Sequence, residues 1–135
     1  ISYAEGFGLA TLESMQAGTP IIAAKTGGLT RQVVDHRDGS ENGVALEIDL
    51  KTMVGSQTVP YIYEDYCSNE SVAAAIMKMY EKTPEEKKEL SQKVIDYVAS
   101  EFSYQKTIDL WHDTLNDTLE NWKSNYQRKF LGEIK

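Results

Sequence analysis

Two glutamates and two glycines lie close together near the start of the sequence. The segment reads Glu5-Gly6-Phe7-Gly8-Leu9-Ala10-Thr11-Leu12-Glu13, and its glycines come just before a helical pattern. Because glycine has no Cβ atom, Gly6 and Gly8 allow a ligand to approach the backbone closely. The free N–H groups of the helix's first turn, at residues 8–11, carry the positive end of the helix dipole. The segment therefore predicts an anion site that suits a diphosphate.

The two carboxylates of this segment flank the predicted anion site. Glu5 precedes the helix, and Glu13 lies a little over one turn into it. A carboxylate aimed at a phosphate would repel it, so both side chains are better interpreted as acceptors of hydrogen bonds from sugar hydroxyls. Two alternatives stay open at this point. The glycines could serve tight packing alone, and Glu5 could be an ordinary first-turn charge.

A second glycine pair follows the next predicted strand. Thr26-Gly27-Gly28 comes directly after the short apolar run Ile21–Ala24. Loops at the carboxyl ends of neighbouring parallel strands meet at one edge of the sheet, where open α/β folds bind ligands. Two glycine-rich loops there are hard to explain by packing. They indicate a crevice lined by backbone amides and favour a phosphate-bearing ligand.

The order of these motifs resembles that of retaining GT-B glycosyltransferases of the E-x7-E type. The similarity lies within residues 1–48 and continues from the Glu5–Glu13 segment through Ala17–Ala23 to Thr26-Gly27-Gly28. The resemblance implies that a glycosyl group is transferred with retention from a nucleotide-sugar donor to an acceptor. It also implies that the reaction needs no cofactor and no obligatory metal.

The resemblance further implies a role for each matched residue. Glu5 is the catalytic residue, which contacts the hydroxyls of the donor sugar, and Glu13 binds the ribose of the nucleotide. The donor sugar and diphosphate are held at Gly6, Phe7, Gly8, Leu9, Ala10 and Thr11. The nucleotide pocket is bordered by Thr26, Gly27 and Gly28.

The sequence departs from the family pattern in three ways. Arg31 stands where the family often has a glutamate, and its guanidinium could bind a phosphate, pair with a carboxylate or serve solubility. Residues 49–67 are longer than the usual connector and could form an acceptor site, a subunit contact or a decorated loop. The Arg and Lys of the family's phosphate clamp would lie before Ile1. We therefore expect the C-terminal portion of a donor-binding domain from a longer transferase, inactive alone and able to form a homo-oligomer if it exists alone.

The elements that must position these residues are those of an α/β fold. We predict a partial Rossmann-like parallel sheet with crossover helices, followed by C-terminal helices, as in the C-terminal half of a GT-B fold. The predicted strands are Ile1–Tyr3, Ile21–Ala24 and Val44–Ile48, and the predicted crossover helices are Leu9–Ala17 and Leu29–Asp35. Tyr61–Tyr63 suggests a further short strand, in a hairpin or an ordered loop.

The second half of the chain is predicted to be helical. We assign residues 1–67 to the nucleotide-sugar-binding segment, 68–123 to C-terminal helices of the same domain, and 124–135 to a basic tail. The expected N-caps are Ser68 or Asn69, Thr83 with Pro84 and Glu86, and Ser103. The expected apolar faces are Val72, Ile76, Met79 and Tyr80; Leu90, Val94, Tyr97 and Val98; and Tyr104, Ile108, Trp111, Leu115, Leu119 and Trp122.

Composition excludes several other functions. The 135 residues carry a net charge of −7, which argues against nucleic acid or an anionic membrane surface as a partner. We expect no transmembrane segment, because no apolar run approaches the roughly 20 residues that a membrane helix needs. Cys67 is alone, and neither His36 nor His112 has metal-ligand spacing, which indicates a cytoplasmic protein without a metal site. The alternatives are a non-catalytic nucleotide-binding module and a helical interaction module that uses the Trp111–Trp122 stripe.

Overall fold

A two-stranded parallel sheet lies at the centre of the first part of the molecule. The computed structural model describes residues 1–125, with side chains through Trp122. Strand β1 (Ile21–Ala24) pairs with β2 (Gly43–Leu46) in parallel, from Ile21 opposite Gly43 to Ala24 opposite Leu46. The short apolar strands and the helix between them were predicted correctly. The described elements are α1 (Leu9–Gln16), β1, α2 (Leu29–Val33), β2, β3 (Leu50–Val54), β4 (Ile62–Tyr66), α3 (Asn69–Tyr80), α4 (Pro84–Glu101) and α5 (Tyr104–Asn125).

The predicted strand at Ile1–Tyr3 is wrong. Residues 1–8 have no regular secondary structure, although the Tyr3 carbonyl accepts a hydrogen bond of 2.8 Å from the Asp65 N–H. One such bond does not make a ladder, and the parallel sheet contains two strands within residues 1–125. The segment that carries Glu5 is therefore held by individual contacts, which are described below.

Residues 49–67 form an antiparallel hairpin, which settles the choice between a hairpin and an irregular loop. Strands β3 and β4 pair from Leu50 opposite Tyr66 to Val54 opposite Ile62. Residues with the same parity share a face, so Lys51 and Asp65 lie opposite each other on one face while Glu64 lies on the other. The hairpin is consequently a two-faced element, and its two faces can be altered separately.

Beside the sheet, the core lies against α3. Its central cluster comprises Ala24, Val44, Leu46 and Ala75, with Val72 and Met79 packed against it. The expected α3 face was wrong at Ile76 and Tyr80, which are 54% and 74% exposed. Both choices fit a helical spacing, but the small side chain of Ala75 allows the helix to approach β2 closely. The expected α4 face is confirmed, since Val94, Tyr97 and Val98 are buried.

The N-caps of the C-terminal helices follow the sequence. The Ser68 hydroxyl accepts the Ser71 N–H at 3.2 Å. Thr83 and Glu86 form a capping box: Glu86 N–H donates to the Thr83 hydroxyl at 3.2 Å, and Thr83 N–H donates to the Glu86 carboxylate at 2.7 Å. The Ser103 hydroxyl accepts from the Lys106 N–H at 3.2 Å. Local hydrogen-bond chemistry is therefore enough to start α3, α4 and α5.

Residues 1–99 form one unit, and a second unit begins at Ser100. The expected apolar stripe of α5 is exposed along its length, from 41% at Ile108 to 82% at Tyr104. The proposed basic tail lies outside the described residues from residue 126 onward. The described helices include none that is both long and apolar enough to cross a bilayer.

A charged turn ends α2 two residues before the predicted end at Asp35. The buried Asp35 carboxylate accepts hydrogen bonds from the Arg37 guanidinium at 2.7 and 2.9 Å. These bonds hold the pKa of Asp35 at about 2, below its ordinary 3.8. The carboxyl group is thus more stable as an anion in the folded protein than in the unfolded chain.

We expect Asp35→Asn to lower the free energy of unfolding at pH 7 by roughly 2 kcal/mol, the value of this pKa difference. Because the folded pKa is depressed, the contribution is present above about pH 4 and is lost as the pH falls toward 2. Urea denaturation from pH 7 to pH 2 measures this contribution to stability. Glu89→Gln, at an exposed position of α4, is the control. A difference between wild type and Asp35→Asn that stays constant across this range would contradict the assignment.

Candidate functional site

The two glycine loops lie in direct backbone contact. The N–H of Gly28 donates to the carbonyl of Glu5 at 3.2 Å. A Cβ atom added to Gly27 would lie 1.8 Å from that carbonyl oxygen, and one added to Gly28 would lie 2.6 Å from the oxygen of Gly6. The structure therefore brings Glu5, Gly6 and Phe7 together with Gly27 and Gly28, as predicted, although the first loop follows no strand of the sheet.

Packing explains more of the glycines than the sequence suggested. Gly8 has a φ of +86°, and a Cβ atom there would lie 2.5 Å from Leu29 Cδ2. Gly27, with a φ of +47°, and Gly28 are required by the contact between the loops. The interpretation that two glycine-rich loops are hard to explain by packing was therefore wrong for three of the four glycines. Gly6 differs, because a Cβ atom there would meet nothing within 4 Å.

The first turn of α1 presents backbone N–H groups without acceptors. The first hydrogen bond inside the helix joins Leu12 N–H to the Gly8 carbonyl at 3.1 Å. The N–H groups of Leu9, Ala10 and Thr11 precede it, and no side chain caps them. Leu9 and Ala10 are exposed, and the first turn holds no acidic residue. This end of the helix can therefore bind an anion. Gly6, where a Cβ atom would meet nothing, comes shortly before it in the sequence.

The two glutamates carry free carboxylates. Glu5 is half-buried and Glu13 is exposed, and within residues 1–122 neither carboxylate forms a hydrogen bond or an ion pair. The main chain of Glu5 is fixed by Gly28, so the position of its side chain depends on the second loop. Both carboxylates are therefore available to accept hydrogen bonds from a ligand.

Gln32 is a site residue that the sequence analysis missed. Its fully buried side chain donates to the Phe7 carbonyl at 2.5 Å and accepts a hydrogen bond from the Thr11 hydroxyl. It thereby ties α2 to the loop before α1. The available clue was a polar residue three positions after Leu29, on the apolar face of a short helix.

Thr26 also has a partner that the sequence did not reveal. Its side chain is buried, and its hydroxyl donates to the Asp65 carboxylate on β4 at 2.8 Å. The same residue, Asp65, donates its N–H to the Tyr3 carbonyl, and the rings of Tyr3 and Tyr66 stack at 4.4 Å. The hairpin is thus attached to both loops of the candidate site.

The remaining candidate groups make ordinary contacts. Burial raises the pKa of the Cys67 thiol, which is half-buried and donates to the Glu47 carbonyl at 3.4 Å. Arg31 is exposed and lies 3.4 Å from the His36 ring. No group of three or more His, Cys, Asp or Glu side chains in the described residues is placed to hold a metal.

Comparison with known proteins gives a family match over the same residues. Residues 1–48 match the family described as "Glycosyl transferases group 1". This match contains both glycine loops, both glutamates and the β1–β2 pair. The residues of the candidate site therefore lie within the part of the chain that is similar to this family.

Curated relatives agree with the family match. Over 38 residues the chain is 50% identical to D-inositol 3-phosphate glycosyltransferase of Arthrobacter sp. (strain FB24), covering 28% of this chain and 9% of the relative. The protein of the same name from Corynebacterium jeikeium (strain K411) is 33% identical over an alignment of 96 residues. The match covers 62% of this chain and 22% of the relative. The chain therefore matches less than a quarter of the length of these relatives.

Proposed function

We propose that this chain is the donor-binding portion of a retaining GT-B glycosyltransferase that uses a nucleotide-sugar and works in the cytoplasm. The observation that carries the proposal is the uncapped first turn of α1, which follows the open position at Gly6 and the contact between the two glycine loops. The family match over residues 1–48 supports the same chemistry. The relatives' name suggests an inositol phosphate as one acceptor to test.

The N–H groups of Leu9, Ala10 and Thr11 would bind the donor diphosphate. Negative charge develops on a nucleoside diphosphate as it leaves the sugar, and fixed N–H dipoles stabilise that charge without reorganising. We therefore propose that these groups do what a divalent metal does in other transferases. Gly6 keeps space open for the phosphates and the sugar.

The two free carboxylates would bind the neutral parts of the donor. Glu5 would accept hydrogen bonds from sugar hydroxyls and support the reaction centre, and Glu13 would accept from the ribose. The oxocarbenium-like centre would be stabilised by these surroundings and by the departing phosphate itself. In this arrangement the anionic groups of the protein do not face the anionic groups of the donor.

Calorimetric titration of the complete protein with UDP, GDP and ADP tests the proposal. We expect saturable binding of one nucleotide, and unchanged binding when EDTA is present. Binding that is absent for all three nucleotides would contradict the proposal, and binding abolished by EDTA would contradict its metal-free part.

A further inference from the structure

We propose that Asp65, on the hairpin, is a positioning residue for the donor site, because it holds both of its loops at once. Its carboxylate accepts the Thr26 hydroxyl at 2.8 Å, and its N–H donates to the Tyr3 carbonyl at 2.8 Å. Tyr3 is two residues before Glu5, and Thr26 directly precedes Gly27. The inference rests on the proposed function and assigns the hairpin a part in it.

The contact is built inside the protein. Thr26 is 3% exposed, and the Asp65 side chain is 14% exposed. The second carboxylate oxygen of Asp65 lies 3.6 Å from the Lys51 ammonium on the opposite strand. A hydrogen bond to a charged, nearly buried acceptor is stronger than one between neutral groups. The hairpin is thus tied to the second glycine loop by a contact that resists opening.

This contact determines where Glu5 lies. Gly28 donates to the Glu5 carbonyl, and Gly27 and Gly28 leave no room for a Cβ atom against residues 5–7. Because the two loops touch backbone to backbone, displacement of Thr26 moves Glu5 and Gly6 as well. Residues 1–8 lack a strand of their own, so Asp65 replaces part of the support that a sheet ladder would give.

A matched pair of hairpin variants tests the inference. Asp65→Ala removes the contact with Thr26, whereas Glu64→Ala removes a hydrogen bond to the Tyr66 hydroxyl on the other face of the same strand. We expect Asp65→Ala to raise the donor KM roughly tenfold, as for the loss of a hydrogen bond to a charged group. Glu64→Ala should leave it within about twofold of wild type, because the half-buried Glu64 carboxylate accepts from the Tyr66 hydroxyl and not from Thr26.

Conservative variants separate positioning from general stability. Asp65→Asn keeps an acceptor for Thr26, and Thr26→Ser keeps the hydroxyl donor, so both should retain donor KM near the wild-type value. The donor KM of Thr26→Val should match that of Asp65→Ala. The double variant should have a donor KM no higher than that of either single variant, because both substitutions remove the same hydrogen bond. The variants are made in the complete protein, with thermal unfolding measured for each.

The outcomes are distinguishable. If wild type binds a nucleotide and Asp65→Ala has the same donor KM, or if Glu64→Ala impairs it equally, the positioning role is wrong while the proposed function remains. If Asp65→Ala and Thr26→Val lower thermal stability without changing KM, the contact is structural only. If wild type binds no nucleoside diphosphate, the proposed function fails, and this inference fails with it.

Discussion

Gly27→Ala is expected to lower the free energy of unfolding of residues 1–99 by more than about 3 kcal/mol, at the upper end for a single substitution. The new methyl group would lie 1.8 Å from the Glu5 carbonyl oxygen, and the φ of +47° is unfavourable for alanine. The three atoms nearest to the added methyl group are backbone atoms of Glu5, so no flexible side chain could move aside. Urea denaturation followed by circular dichroism measures the loss.

Gly6→Ala is the matched control for that experiment. Its φ is negative, and an added Cβ atom meets nothing within 4 Å. We therefore expect a free energy of unfolding within about 0.5 kcal/mol of wild type. Its effect should fall on the ligand instead, because the methyl group would occupy space that we propose the donor fills. A Gly6→Ala protein that binds nucleotide-sugar normally would show that this space is not part of the donor site. A Gly27→Ala protein as stable as wild type would contradict the described contact between the loops.

Glu5→Gln is expected to lower glycosyl transfer by at least about a hundredfold, the typical effect of removing one group that stabilises a transition state. The substitution keeps the shape of the side chain and removes its charge. Because Glu5 would contact the sugar and not the diphosphate, the affinity for the free nucleotide should hardly change. Steady-state kinetics of the complete protein, together with nucleotide titration, separates the two effects.

Glu89→Gln provides the control for the charge change, since Glu89 is exposed on α4 within the described chain. Unchanged turnover in Glu5→Gln would contradict the catalytic role of Glu5. A wild-type protein that binds nucleotide without any turnover would support the alternative of a non-catalytic nucleotide-binding module. Loss of nucleotide binding together with turnover would instead place Glu5 at the phosphates, against the proposed arrangement.

Helix starts could be predicted from the sequence because their chemistry is local. Ser68, Thr83 with Glu86, and Ser103 each bond to an N–H within three residues, so residue type and spacing are sufficient. The same holds for the apolar strand Ile21–Ala24, which is flanked by turn residues. The parallel pairing of β1 with β2 follows from the helix between them.

The missed features depend on residues distant in the sequence. The Thr26–Asp65 bond joins residues 39 positions apart, and Gln32 reaches Phe7 across 25 positions. Neither partner has a distinctive spacing that would predict the contact. Ile1–Tyr3 has a strand-like composition, yet a strand forms only with a partner ladder, and Tyr3 finds a single bond to Asp65. Packing, not a ligand, explains why residues 8, 27 and 28 are glycines. Only their neighbours in space reveal this requirement.

The central claim is that the first turn of α1 binds the diphosphate of a nucleotide-sugar. An NMR titration of the complete protein with UDP, GDP and ADP, which follows the backbone amides of residues 1–125, tests it most directly. We expect saturable shifts with one nucleotide that are largest at Gly6, Leu9 and Ala10. Gly28 should shift less, because its N–H is already donated to Glu5.

The control in the same spectrum is the first turn of α3, where Ser68 already caps the helix and Glu70 adds a negative charge. Its amides should not move. A well-dispersed spectrum in which α1 and α3 respond alike, or in which no nucleotide moves Leu9 and Ala10, would contradict the claim.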